Sequence, residues 1–370
     1  MTSNPPADAG QVAVIGTGLI GTSVALAARR AGVRVRAWDA DAVALARADD
    51  TGALDPARDL ADAVAGADVA VICVPIDRIA SVVAQALAAD PHVVVTDAGS
   101  VKASVVAAVG RAVAAPGDVA RFVPGHPMGG SERSGPEHAS AHVIDGIVWA
   151  LAPTEATAGP SLDRVTGFVR SLGAHPITLT PERHDRLVAV VSHLPQVAST
   201  ALMALAAREE TDEPDLLVLA AGGFRDLTRL AASNPVLWGE ILSANGPEVV
   251  QAIDLYVAGL LELRDAIGAD RRADIERSFA GAKAARVGLA AKPQVRAGVA
   301  IVVVEIPDEP GALARITAIM SEAGVNIEDL QIVHSAEGGR GQVQLTVAAT
   351  TADEATTMLT SAGYDPTRSA

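Results

Sequence analysis

The sequence predicts an α/β protein in three parts: an N-terminal Rossmann dinucleotide-binding domain, an all-α dimerisation domain and a C-terminal α+β module. Three patterns predict it. Short β-rich runs alternate with Ala-rich amphipathic stretches from Gln11 to about Ala150, the rhythm of a parallel sheet covered on both faces. Helical periodicity with scarcely a strand signal runs from Pro181 to Ala291, and strand, helix, strand, strand, helix follow from Val299. The expected boundaries are a disordered leader over 1–10, a dinucleotide-binding domain over 11–178, a helical dimerisation and substrate domain over 179–291, and the small module over 298–370, after a linker at 292–297.

With 370 residues, 49% hydrophobic and 20% charged, the chain has apolar material for two or three cores. The single Cys73 excludes a disulfide scaffold and a cysteine-cluster zinc site, and fits a reducing compartment. It lies in an apolar run, where it reads as an inert buried thiol. Residues 1–10 lack the basic and apolar regions of a signal peptide, so the expected location is cytoplasmic. The longest apolar stretches, such as 68–76 and 299–306, are strand-sized, and no membrane span is expected. Lys+Arg 29 against Asp+Glu 44 gives a net charge of −15, which argues against nucleic acid as a partner. Any anionic ligand needs a locally basic pocket.

The first strand ends in Gly16-Thr17-Gly18-Leu19-Ile20-Gly21 and opens a helix, and Asp39 ends the next strand 18 residues after Gly21. Gly16 permits the tight turn, Gly18 lets backbone approach a pyrophosphate, and Gly21 allows close helix–strand packing. The helix N-terminus faces the phosphates. Asp39 can bond both ribose hydroxyls of NAD and would repel the 2′-phosphate of NADP; its bland alternative is a solvated strand-end carboxylate. Gly16, Gly18, Leu19, Ile20, Gly21, Asp39 and Pro75, which closes a later strand, are the expected cofactor residues, and NAD the expected cofactor.

Two segments beyond the later strands carry candidate chemistry. Thr96-Asp97-Ala98-Gly99-Ser100-Val101-Lys102 falls on the carboxyl edge, where Ser100 either caps the next helix or serves a ligand. His126, between Gly125 and Pro127 in an irregular segment, reads as an accessible loop histidine suited to proton transfer.

In the helical part, Thr180-Pro181 makes an N-cap and first-turn proline. The apolar stripe that follows contains Pro195, which predicts a kink near 191–194. Helices over 247–267 and 270–289 carry more apolar residues than one helical layer buries, so a homodimer is expected. Gly222-Gly223-Phe224-Arg225-Asp226-Leu227-Thr228-Arg229 is the best local anion site; a surface ion-pair network is the alternative. Trp238 reads equally as core or as a stacking residue. The eight histidines form no convincing metal constellation, because His184 and His193, nine apart, fall on different helix faces.

Taken together, GTGLIG, DAGSVK, GHPMGGSE, the His184-Asp185 pair, SHLP at 192–195 and GGFRDLTRLAASNPVLW resemble the prephenate/arogenate dehydrogenase family of tyrosine biosynthesis over almost the whole chain. The resemblance implies an NAD-dependent oxidative decarboxylation of prephenate to 4-hydroxyphenylpyruvate, or of arogenate to tyrosine. Hydride passes from the hydroxyl-bearing ring carbon to nicotinamide, carbon dioxide leaves, and the ring aromatises. On that basis His126 takes the hydroxyl proton, Ser100 bonds that hydroxyl or His126, and Arg229 clamps a carboxylate. Glu132 matches a gating acid, and Asp226, Arg225, Trp238 and His193 match residues around the pocket. Gln196 departs from the family's HLPH, placing a neutral amide where a histidine often stands. The C-terminal module resembles an ACT domain, with Asp308 to Leu313 at a strand–helix turn and Gly324-Val325-Asn326-Ile327 after the helix, and implies tyrosine as an effector near Gly311 and Asn326. Little room is left for a fourth ACT strand, since Pro366 cannot donate to a ladder.

Two rivals compete with this reading. A β-hydroxyacid or nucleotide-sugar dehydrogenase needs a catalytic lysine or cysteine in the helical half, where Lys102, Lys283, Lys292 and Cys73 are poorly placed. A silent NAD- and amino-acid-sensing protein would not need His126, Ser100 and Arg229 together.

Overall fold

The computed structural model describes residues 10–129, 135–213, 215–291, 299–307, 309–334 and 340–369. They fall into two compact units, Met1–Glu262 and Leu263–Ala370. The expected leader, except Gly10, and the linker at 292–297 lie outside the described residues.

The first unit opens with β1 (Gln11–Ile15), α1 (Leu19–Arg30), β2 (Arg34–Trp38), α2 (Ala42–Asp49), β3 (Asp55–Pro56) and α3 (Leu60–Val64). Then come β4 (Val69–Ile72), α4 (Ile76–Ala89), β5 (Val94–Asp97), α5 (Ala103–Ala112) and β6 (Phe122–Val123). Among the described residues these strands form a parallel sheet in the order β3-β2-β1-β4-β5-β6. Period-2 alternation sends Val12 and Val14 into the core on one face and Ala13 and Ile15 into the core on the other. Each fully buried Val or Ile contributes roughly 1.5–3 kcal/mol. Strand order reverses between β1 and β4, which makes their carboxyl ends the expected ligand crevice. A second sheet, β7 (Gly125–Pro127), β8 (Val148–Leu151) and β9 (His175–Thr178), follows, with α6 (Gly159–Ser171) between its last two strands.

Helices then take over: α7 (Pro181–Val188), α8 (Leu194–Glu209), α9 (Gly222–Thr228), α10 (Pro235–Ala244) and α11 (Gly246–Gly268). Thr180 caps α7 by accepting from Arg183 N at 3.2 Å. The disruption expected near Pro195 takes the form of a π turn, Ala189–His193, just before the proline, which enters the first turn of α8. The outward stripe leaves Leu187, Val190, Val191, Leu255, Leu260 and Leu261 exposed. The continuous helical run Pro181–Glu209 is long and apolar enough to cross a membrane by length and composition, contrary to the expectation drawn from the strand-sized apolar stretches. The apolar stretch still carries His193 and Gln196, both of which bond within the unit.

The second unit holds the end of α11, α12 (Arg272–Ala291), β10 (Val299–Pro307), α13 (Ala312–Glu322), β11 (Ile327–His334), β12 (Arg340–Ala348), α14 (Ala352–Ser361) and β13 (Thr367–Ser369). Its antiparallel sheet runs β11-β12-β10-β13 over a core of Val302, Val304, Ile316, Met320, Leu345 and Leu359. The fourth strand therefore forms, against expectation. Pro366 stands just before the ladder, where its missing N–H costs nothing, and Thr367 to Ser369 pair with Val303 to Ile301.

Candidate active site

At the end of β1, Gly16 has φ +97°, and a Cβ there would lie 2.4 Å from the Cys73 carbonyl oxygen. Both the conformation and the space demand glycine. A Cβ on Gly21 would meet Gly16 O at 1.9 Å, so α1 packs directly on the turn. Around Gly18, the N-cap of α1, there is open space, which leaves its backbone free for a pyrophosphate. Leu19 and Ile20 begin α1, half-buried. Asp39 Oδ2 accepts from Thr17 N at 2.6 Å and Thr17 Oγ1 at 3.1 Å, and Oδ1 accepts from Asp41 N at 2.8 Å. The carboxylate is thus fixed beside the glycine turn. Pro75 stands across the switch point, at the N-cap of α4. These residues fit a dinucleotide. Burial pushes the Cys73 thiol far up, as expected of an inert thiol.

His126 sits on β7, just past the carboxyl ends of β5 and β6. It is 9% exposed, so the loop histidine of the sequence reading is in fact a buried strand residue. Its neighbour Gly125 is gripped at both backbone groups. Gly125 N donates to Asp97 Oδ1 at 3.1 Å, and Lys102 Nζ donates to Gly125 O at 2.6 Å and to Asp97 Oδ2. A Cβ on Gly125 would lie 2.6 Å from Thr96 Oγ1 and 2.8 Å from Trp149 Nε1. Burial drives the Lys102 ammonium below its usual range, opposed by Asp97 and Asp185. Burial also holds His126 well below the ordinary imidazole value, reinforced by His184, Lys102 and His193.

Behind His126 the helical elements supply a chain of polar groups. His126 Nδ1 lies 2.9 Å from His184 Nε2, and His184 Nδ1 lies 2.8 Å from Asp185 Oδ1. Asp185 also accepts from Lys102 N at 2.7 Å and Ala103 N at 2.8 Å, capping α5 from another helix. Ser100, half-buried ahead of α5, does not cap it. Asn245 Nδ2 donates to Asp185 O at 3.0 Å and lies 3.2 Å from His193 Nδ1. The π turn and this bridge bring His184 and His193 into one buried network, although ideal α periodicity puts them on opposite faces. His193 packs edge-on against half-buried Trp238, ring centroids 6.0 Å apart, and burial lowers its pKa to about 4.

Gln196 is buried, and its amide is used internally: Nε2 donates to Leu230 O at 2.8 Å, and Ser233 Oγ reaches Oε1 at 3.4 Å. It props the turn that carries Arg229. Arg225, Asp226 and Arg229 themselves are exposed on α9 and its end. Glu132 and Asp308 lie outside the described residues. In the second unit Gly311, φ +89°, starts α13 and lines a concavity of about 400 Å³ with Glu309, Pro310, Leu313, Ile332 and Gly341. Asn326 is exposed and is not among its lining residues.

Sequence reasoning assigned no role to Asp97, Lys102, Asp185 or Asn245. Asp97 and Lys102 stood inside the quoted DAGSVK and Asp185 beside His184, but nothing local announced that their partners lie up to 83 residues away.

A parallel nucleotide-binding sheet whose carboxyl edge holds a buried histidine, backed by a helical half, defines a dinucleotide-dependent dehydrogenase. Residues 24–178 match the nucleotide-binding domain of prephenate dehydrogenase, 180–280 its dimerization domain, and 300–358 the ACT domain. The chain belongs to the prephenate/arogenate dehydrogenase family, with a C-terminal ACT domain. It is 31% identical over 291 residues to the cyclohexadienyl dehydrogenase of Zymomonas mobilis, covering 77% of this chain and 98% of the relative. It is 28% identical over 341 residues to the prephenate dehydrogenase of Bacillus subtilis, covering 90% and 91%. The structure of A. aeolicus prephenate dehydrogenase in complex with hydroxyphenyl propionate and NAD+ is similar at TM-score 0.71 and 27% identity, covering 77% of this chain and 99% of that one.

Proposed function

We propose that this protein is an NAD-dependent prephenate dehydrogenase, and that His126, Ser100 and Arg229 carry the reaction and substrate binding. The observation that carries the reading is His126: a buried, uncharged imidazole on the carboxyl edge of the nucleotide-binding sheet, hydrogen-bonded to the helical half. Gly16, Gly18, Gly21 and Asp39 would hold the cofactor, which when bound would supply a hydride acceptor. His126 takes the ring hydroxyl proton as that carbon gives up hydride. The bond to the carboxyl group then breaks, carbon dioxide leaves with its electron pair entering the ring, and the phenolic oxygen retrieves the proton. Aromatisation drives the step, so the protein's task is to position, hold one proton and bind anions. Ser100 bonds the hydroxyl, and Arg229 binds a carboxylate in a bidentate manner. Arg225, Asp226, His193 and Trp238 complete the pocket, and Glu132 is the proposed gating acid.

The test is absorbance of NADH formed with prephenate, with NADP as the control expected to fail. Arogenate is the second substrate, favoured by one observation: Gln196 brings no positive charge to the pocket and its amide is occupied. A kcat/KM higher for arogenate reverses the assignment. Tyrosine is the proposed effector, at the Gly311 concavity. No tyrosine uptake by calorimetry and unchanged kinetics would remove it. The exposed apolar residues of α7, the π turn and α11, together with the dimerization-domain match, support a homodimer.

A further inference from the structure

If His126 is the base, one of its two ring nitrogens must be the receiving atom, and the chain behind it selects which. Asp185, a carboxylate, only accepts, so His184 Nδ1 carries a proton toward it at 2.8 Å. In a neutral His184 the Nε2 atom then holds a lone pair, and at 2.9 Å it can only accept from His126 Nδ1–H. We propose that His184 and Asp185 are positioning residues that hold His126 in its Nδ1–H tautomer, making Nε2 the atom that receives the substrate proton. This rests on the reading of His126 as the base.

The geometry fixes the chain at its far end. Asp185 cannot swing away, because Lys102 N and Ala103 N hold its two oxygens at the N-terminus of α5, and Asn245 holds its backbone carbonyl. At the near end, Asp97 and Lys102 hold Gly125, and with it the strand that carries His126. When Nε2 takes the proton, Nδ1–H stays on His126, His184 stays neutral, and Asp185 stabilises the imidazolium through the chain. No proton moves along it. The charged and titratable groups facing the pair are Lys102 with Asp97 behind it, Asp185, and His193 on the π turn. Lys102 and His193 oppose protonation of His126.

The experiment is nitrogen NMR of the full-length chain with labelled histidines at neutral pH, assigned by the signals lost in His126→Asn. Nδ1 protonated and Nε2 bare is expected; the opposite tautomer overturns the proposal. This readout needs no substrate, so failure to oxidise prephenate would sink the functional reading and leave the tautomer result standing. In kinetics, His184→Gln should stay within about 3-fold of the parent kcat, since its amide oxygen accepts from His126 and its NH2 donates to Asp185. His184→Leu should lose about 10²-fold in kcat at unchanged KM. Equal losses in Gln and Leu variants that fold like the parent would overturn the proposal; should Leu not fold, the Gln variant and the NMR decide.

Discussion

Asp97, Lys102, His184 and Asp185 around His126 are buried and bonded to one another, whereas Arg225, Asp226 and Arg229 stand exposed on a seven-residue helix and its end. A buried, cross-bonded network resists displacement, and in low dielectric its charges act strongly on a neighbouring group. An exposed guanidinium keeps its hydration until an anion arrives. On the proposed reading the buried network serves the proton step and the arginine turn serves substrate capture; there Gln196 fixes the backbone and leaves the side chains free.

The contrast can be broken in order of expected effect. Lys102→Met leaves Asp97 buried and uncompensated, so stability to denaturant should fall by about 3–5 kcal/mol; a fall below about 1 kcal/mol would mean water enters the network. His126→Asn should lower kcat by about 10²-fold or more with KM nearly unchanged, in steady-state assays with prephenate. Arg229→Ala should do the reverse, raising KM by the equivalent of about 2–3 kcal/mol while kcat holds. Exchanged signatures for the last two would erase the division of labour.

The smallest effect is one of pH on the parent protein. Burial lowers His193 from 6.5 to about 4, and His126 in the same direction, so between those values the unfolded chain binds more protons than the folded one. Stability should therefore be constant above pH 6.5 and decline as pH falls from 6.5 toward 4. Thermal unfolding across that window checks the sign, and Arg229→Ala, which touches only the exposed turn, should follow the same curve.

Legibility followed the range of the interaction. Gly16 and Gly21 were readable because a turn and a close approach are demanded within ten residues of each other, and the structure reproduces both. A break near Pro195 was readable from one ring on one residue, but that it takes the form of a π turn was not. Asp185 was not: its role as the cap of α5 depends on two backbone N–H groups more than 80 residues upstream. His126 was legible as a proton carrier but not as buried, since Gly and Pro neighbours signal a loop unless Asp97, Lys102 and Trp149 are known to enclose them. The fourth ACT strand was misjudged because a proline was counted against a ladder it merely precedes.

By itself the chain's order of residues determined the alternation of strands and helices, the glycine turn with Asp39 beyond it, and the types of side chain available for hydride-transfer chemistry, all set by local sterics and periodicity. Only the tertiary structure decided that His126 is buried, that His184 stands between it and Asp185, and that Gln196 serves the backbone of the arginine turn. Those outcomes need groups from distant segments brought within 3 Å, where desolvation and hydrogen-bond direction determine what each can do.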